Sequence, residues 1–264
     1  MRENMSKADY ENLYNHLIIR KKMDLRETME LFDTSESTAR RMFIRLEKDG
    51  RALRTSGGIM LFVGSAMDYS FDAVARAQYQ EKTAIGEAAC SLVQDGDVIY
   101  CDAGTTLLCF CEALANRSKK KPLNISVFTN SLANLEALSD LMTVILVGGM
   151  YRPHRKDFCG FIAETSLSRL HFTKCFLGAD GSLVPKYFST TDFDTARLNE
   201  IVIHNSEKTI VLADSFKFEK TSLVSYAPFN LVHTVVTDSG ISVAAKNALI
   251  KSNIDVVLKS ELNK

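Results

Sequence analysis

Asp102-Ala103-Gly104-Thr105-Thr106 places a carboxylate, a glycine and two hydroxyls within five residues, directly after the apolar run VIYC and before a helical pattern. Glycine lets a backbone approach a ligand closely. Hydroxyls at a helix N-terminus, with its unpaired N–H groups, suit an anion such as phosphate. Taken alone, the motif could equally be a tight strand-to-helix turn with no ligand. It is not alone. Thr129-Asn130-Ser131, Gly148-Gly149, Gly178-Ala179-Asp180-Gly181 and Asp214-Ser215 with Lys217 each follow a short apolar run as well. Ligands of open α/β sheets bind at the carboxyl ends of strands, so five such ends converge on one expected pocket. The residues expected to line it are Asp102, Gly104, Thr105, Thr106, Thr129, Asn130, Gly148, Gly149, Asp180, Gly181, Asp214 and Lys217.

The elements that must position them read as strands at Val98–Cys101, Ser126–Thr129, 144–147, 174–177, 209–213 and Thr234–Thr237, with helices between most of them. This alternation predicts an α/β fold with a mostly parallel sheet. A helix over 81–92 opens the domain, and 64–80 is expected to be a connector.

A second constellation precedes it. In SESTARRMFIRLEK, Ser35 suits an N-cap, and Ala39, Met42, Phe43 and Leu46 recur at helical spacing. Ser37, Arg41, Ile44 and Lys48 fall on the opposite face, flanked by Arg40 and Arg45. Gly50 is expected to end this helix. A hairpin of residues 51–54 and 59–63 then turns at Gly57-Gly58. Upstream, a helix over 6–22 carries Tyr10, Leu13, Tyr14, Leu17 and Ile18, and a second opens at Asp24 with Glu27 three residues on. Three helices with one tight turn and a hairpin predict a winged helix-turn-helix. Ser35, Ser37, Thr38, Arg40, Arg41, Arg45, Lys48, Arg51 and Arg54 are the expected DNA contacts.

The 32 basic and 32 acidic residues cancel, which excludes a general nucleic-acid coat and leaves a local basic stripe. At 264 residues, two domains are expected, with boundaries 1–63, 64–80 and 81–264. No apolar run approaches the roughly 18–20 residues of a membrane span, and the polar N-terminus does not read as a signal peptide, so the expected location is cytoplasmic. The six cysteines form no C-x-x-C and read as reduced core residues; neither metal nor cofactor is expected. The loop 151–157 carries Arg152, His154, Arg155 and Lys156. It reads as a solvated surface loop more readily than as a clamp over an anion.

With these residues in place, the chain resembles the DeoR family of bacterial sugar-metabolism repressors over nearly its whole length. Ser35, Thr38, Arg40-Arg41, Leu46-Glu47, Gly50 and 55–58 carry the N-terminal resemblance. Glu81-Lys82, Asp95-Gly96-Asp97, Asp102-x-Gly104-Thr105-Thr106, Thr129-Asn130-Ser131, Gly148-Gly149, Phe176-Leu177-Gly178-x-Asp180-Gly181 and Asp214-Ser215-x-Lys217 carry the rest. The resemblance implies a sensor domain similar to sugar-phosphate isomerases such as ribose-5-phosphate isomerase. It further implies a phosphorylated sugar or related metabolite as effector, double-stranded operator DNA as partner, and a homo-oligomer. The chain departs from the family pattern where Met42 replaces an Asp and Ala39 a β-branched residue. Tyr187-Phe188 replaces small residues before Thr190-Thr191, and the lysine usual in the following helix is replaced by Asn199 or Arg197.

An isomerase would need a carboxylate base and a cation for the enediolate, for which Asp102, Asp180, Asp214 and Lys217 are candidates. Ser182-Leu183-Val184 supplies no second acid, and the helix lysine is missing, so no enzyme is expected. A third possibility is a DNA-binding protein whose α/β domain serves only assembly.

Overall fold

The computed structural model describes residues 7–20, 22–48, 52–55, 57–61 and 69–259. The chain divides into two compact units between Asp68 and Tyr69.

The first unit runs α1 (Lys7–Arg20), β1 (Lys22–Asp24), α2 (Leu25–Leu31), α3 (Glu36–Lys48), β2 (Ala52–Thr55) and β3 (Gly58–Leu61). Tyr10, Leu13, Tyr14 and Leu17 of α1 meet Met42, Phe43 and Leu46 of α3 in one core, closed by Met23, Ala52 and Ile59. Asp24 caps α2, its Oδ1 accepting from the Glu27 amide at 2.6 Å. Asp33 takes a left-handed conformation in the turn, with φ 44°. The Ser35 hydroxyl then accepts from the Thr38 amide at 3.3 Å as α3 begins.

Helix α1 stops earlier than the pattern over 6–22 suggests, because Lys22–Asp24 is a strand. It pairs with β3, giving a three-stranded wing of order β1-β3-β2 rather than a lone hairpin. Three residues with only Met23 buried are too few to reveal a period of two. Gly58 makes this closure possible: a Cβ there would lie 2.2 Å from the Met23 carbonyl oxygen. Gly50, Arg51, and residues 62 and 63 of the expected hairpin lie outside the described residues, as do the side chains of Ile18 and Lys48.

The second unit runs α4 (Phe71–Arg76), α5 (Tyr79–Cys90), β4 (Val98–Cys101), α6 (Thr105–Lys120), β5 (Ser126–Thr129), α7 (Leu132–Leu138), β6 (Thr143–Leu146), β7 (Met150–Arg152), β8 (Asp157–Cys159), α8 (Phe161–Leu167) and β9 (Phe172–Gly178). It continues with β10 (Gly181–Leu183), β11 (Tyr187–Thr190), α9 (Phe193–His204), β12 (Ser206–Leu212), β13 (Val224–Pro228), β14 (Thr234–Thr237), α10 (Val243–Lys251) and β15 (Asp255–Leu258). Seven strands form a parallel sheet of order β15-β14-β12-β9-β4-β5-β6. The chain order reverses between β4 and β9, which is where an open sheet of this kind opens a crevice.

Apolar layers cover both faces of the sheet. The helix pair α5 and α6 lies close enough that a Cβ on Gly86 would meet the Cys109 backbone at 2.6 Å. All six cysteines are buried and free. The seventh strand, β15, follows the last one read from the sequence. The antiparallel sheet β10-β11-β13 and the hairpin β7-β8 are further additions. Within the expected connector, Phe71–Arg76 is helical and α5 begins at Tyr79.

Candidate ligand site and nucleic-acid interface

On α3, Ala39, Met42, Phe43 and Leu46 are buried, so the residues between them face out. Ser37, Arg40, Arg41, Ile44 and Arg45 are exposed. The cations differ in freedom. Arg41 folds back along the first turn, its Nε donating to the Ser37 carbonyl at 3.3 Å and its Nη2 to the Thr38 hydroxyl at 3.1 Å. Arg40 pairs with Glu36 at 2.8 Å. Arg45 lies over the Tyr10 ring, 4.4 Å from its centroid. Arg54 of the wing donates to Glu47 at 2.6 Å, tying β2 to the end of α3. The Arg54 hydrogen bonds hold the Glu47 carboxyl below its ordinary range. Arg40 and Arg54 also line a recess shared with Phe43, Thr55, Gly57 and Gly58. The apolar exception on this face is Ile44, 46% exposed.

In the second unit, a cavity of about 60 Å³ lies at the reversal between β4 and β9. Its floor is Asp102 and the start of α6. Gly104 sits there at φ 141°, a conformation that favours glycine, and no side chain caps the helix. The first amides of α6 therefore point at the cavity together with Thr105 and Thr106. Gly178, Ala179 and Asp180 enter from the end of β9, with Lys217, Arg155, Lys82, Thr190, Thr195, Val74 and Tyr69 completing the wall.

The two carboxylates differ. Asp102 is buried; its Oδ1 accepts from the Ala103 amide at 2.8 Å, and its Oδ2 from Asn199 Nδ2 at 3.1 Å and the Gly178 amide at 3.4 Å. No ion pair reaches it among the described residues, and burial raises its pKa to about 7. For Asp180, burial opposes ionisation, but the Lys217 charge and the Thr191 hydrogen bonds outweigh it, and the carboxyl lies below its ordinary range. Its Oδ2 accepts from the Thr190 hydroxyl and from the Thr191 amide and hydroxyl, at 3.1, 2.9 and 2.9 Å. Lys82 donates to the Val74 and Ala77 carbonyls, both at 2.6 Å; burial and then Lys217 lower its pKa.

Of the two positions considered for the missing helix lysine, Arg197 is exposed and paired with Glu164 and Glu200. Asn199 is buried and reaches Asp102, so a neutral amide stands where a cation would hold that carboxylate ionised.

Asp102, Gly104, Thr105, Thr106, Asp180 and Lys217 thus come together. Thr129, Asn130, Gly148, Gly149, Gly181 and Asp214 do not line the cavity. Asn134 bridges the Thr129 hydroxyl and the Asp102 carbonyl at 3.1 and 3.0 Å, bracing the floor from behind. Asn130 accepts from the Tyr100 hydroxyl and donates to the Phe158 carbonyl. Gly149 and Gly181 serve close backbone packing, against the Cys159 and Lys220 carbonyls. Asp214 is buried with no hydrogen-bond partner on either side-chain oxygen among the described residues.

The loop read as solvated is largely tied down. Arg152 bridges Asp157 and Asp192 at 2.7 and 2.6 Å, and Arg155 is buried against the Tyr69 ring. Of the loop's basic residues His154 is exposed. Tyr69 could not be placed at the site from local pattern, because it follows no strand of the parallel sheet; Arg155 lies in the loop for which a clamp over an anion is the less favoured reading, and it lines the cavity.

A winged helix-turn-helix with a basic outer helix face, followed by an α/β unit with a polar crevice at its strand reversal, defines a DNA-binding regulator with a separate sensor unit. Residues 11–62 match the DeoR-like helix-turn-helix domain and residues 77–239 the DeoR C terminal sensor domain. The chain belongs to the DeoR family. It is 30% identical to the lactose phosphotransferase system repressor of Lactococcus lactis subsp. lactis, covering 89% of this chain and 92% of that one. It is 26% identical to the HTH-type transcriptional repressor GlcR of Bacillus subtilis (strain 168), with 88% of each covered. It is 27% identical to the regulator IolR of the same organism, over 81% and 84%. Among solved structures, ribose 5-phosphate isomerase A from Methanocaldococcus jannaschii is similar over 54% of this chain and 55% of that one, at 19% identity and a TM-score of 0.42. No helix among the described residues is long and apolar enough to cross a membrane.

Proposed function

We propose that this protein represses a carbohydrate-utilisation operon and that a phosphorylated sugar, or a related metabolite, bound in the second unit controls its grip on operator DNA. The observation that carries this reading is the uncapped start of α6, lined by Thr105 and Thr106, in one cavity with Lys217, the buried Asp102 and the half-buried Asp180. The helix terminus and Lys217 take the phosphate. Asp102 and Asp180 accept sugar hydroxyls. Turnover is not part of the reading, since the relatives above carry the names of regulators and Asn199 leaves the Asp102 carboxyl without a cation.

On the DNA side, α3 enters the major groove. Arg41 reads a guanine, Ile44 packs on a thymine methyl, and Arg40, Arg45 and Arg54 hold phosphates together with Ser35, Ser37 and Thr38. Lys48 and Arg51 belong to the same set by their position in the sequence. The protein acts as a cytoplasmic homo-oligomer, with exposed Phe161, Ile162 and Phe193 available for self-association.

The test is a thermal-shift screen of sugar phosphates, followed by gel shift on the DNA upstream of the gene for this chain. A ligand at 100 times its Kd stabilises the unit by about 2.7 kcal/mol. Stabilisation by a sugar phosphate but not by the free sugar, together with a changed gel shift, supports the proposal. Binding of DNA that no stabilising ligand alters would instead leave the α/β unit as an assembly domain.

A further inference from the structure

A cavity of about 60 Å³ is small for the ligand proposed above. Small-molecule pockets enclose about 300–1,000 Å³, so a sugar phosphate enters only if a wall yields. Most of the wall is fixed: strand ends of the parallel sheet and the first turn of α6. One side is built differently. Tyr69 and Val74 come from the segment that begins the second unit. The Phe71 amide donates to the His154 carbonyl at 2.9 Å. Lys156 pairs with exposed Asp72 at 2.8 Å and lies 5.1 Å from the Phe71 ring centroid. Lys82 ties the carbonyls of Val74 and Ala77.

Tyr69 projects into the cavity beneath the Arg155 guanidinium, whose carbon lies 4.3 Å from the ring centroid. Arg155 also has a donor to spare. Its Nη2 reaches the Thr191 hydroxyl at 3.2 Å, but its buried Nε has no hydrogen-bond partner among the described residues and stands 4.0 Å from Asp192. A buried guanidinium with an unspent N–H is a ready partner for an incoming polar ligand.

We propose that Tyr69 is a displaceable plug: its ring fills volume that the sugar moiety of the effector needs, and ligand entry evicts it from beneath Arg155. Tyr69 is the first residue of the second unit, so the eviction acts at the residue that directly follows the first unit in sequence. This inference rests on the phosphorylated-sugar reading of the site and adds how occupancy is relayed.

A plug and an ordinary wall residue predict opposite effects of truncation. A plug costs the ligand the work of opening the site, whereas a contact residue adds affinity. The probes are glucose 6-phosphate, fructose 1-phosphate and ribose 5-phosphate, with inorganic phosphate as the small anion, titrated calorimetrically into the full chain. For the best-bound sugar phosphate, Tyr69→Ala is expected to tighten binding about tenfold, while inorganic phosphate binding stays within about twofold. Tyr69→Phe keeps the ring and is expected to match the wild type. Should Tyr69→Ala not fold, hydrogen exchange of the wild-type Phe71 amide decides: exchange accelerates on adding the sugar phosphate. Unchanged or weaker sugar-phosphate binding by Tyr69→Ala, or unchanged or slowed exchange at Phe71, overturns the plug while leaving the ligand site standing. Absence of binding by the wild type to any of the four probes removes the site reading itself, and the plug with it.

Discussion

Replacing Asp102 by Asn removes a buried carboxyl whose ionisation the fold resists. With a pKa of about 7 in the folded chain against an ordinary 3.8, ionisation of Asp102 is disfavoured by folding. At roughly 1.4 kcal/mol per pH unit, the full difference amounts to about 4 kcal/mol. The sign follows from proton counting. Between pH 4 and pH 7 the folded state holds a proton on Asp102 that the unfolded chain has lost, so stability falls as pH rises through that window and levels off near pH 8. The Asn variant lacks this contribution. It also turns an amide N–H₂ toward one of the three donors that Asp102 now satisfies, a cost of about 1–3 kcal/mol that does not depend on pH. Urea unfolding of both proteins, followed by circular dichroism, separates the two effects. Between pH 5 and pH 8 the wild type is expected to lose about 2–3 kcal/mol relative to Asp102→Asn. A difference constant with pH to within about 0.5 kcal/mol means instead that the carboxyl ionises normally despite its burial and the neutral Asn199 beside it.

Other expectations follow from packing and charge. Arg41→Ala is expected to cost about 1–3 kcal/mol of discrimination between operator and mutated operator, measured by competition gel shift, whereas Arg54→Ala weakens all duplexes alike and lowers the salt dependence of binding. Gly86→Ala drives a methyl into the Cys109 and Phe110 backbone; it is expected to destabilise the second unit by about 1–3 kcal/mol in urea unfolding. Asp24→Ala removes the α2 cap and is expected to cost about 1 kcal/mol, read from the melting of the first unit. Lys217→Met leaves the phosphate without its lysine partner and is expected to abolish the thermal shift by sugar phosphates while retaining operator binding.

The parallel sheet was legible because each central strand is a short apolar run closed by glycine or a polar turn residue, and buried parallel strands read that way. Its order, and thus the reversal beside Asp102, depends on crossover geometry that no local pattern carries. The α3 face was legible from a single helical period. The third wing strand was hidden because Lys22–Asp24 buries just one side chain, and its place is fixed by Gly58 across the sheet. At the site, residues at strand ends and the start of α6 could be named from sequence. Tyr69 comes from far outside those motifs and meets Arg155, from the loop after Gly148-Gly149, only in space. Gly149 and Gly181 show the converse, since a glycine after a strand suits a ligand and a close backbone contact equally well.

Control of the DNA-binding unit by the cavity beside Asp102 is what the proposed function requires. It is tested most directly by fluorescence anisotropy of a labelled operator duplex titrated with this protein, with and without a saturating sugar phosphate that stabilises it. An operator Kd changed by about tenfold or more, the order of allosteric coupling between two sites, is expected, with no change in Lys217→Met. A ligand that binds in the cavity and leaves the operator Kd untouched contradicts it.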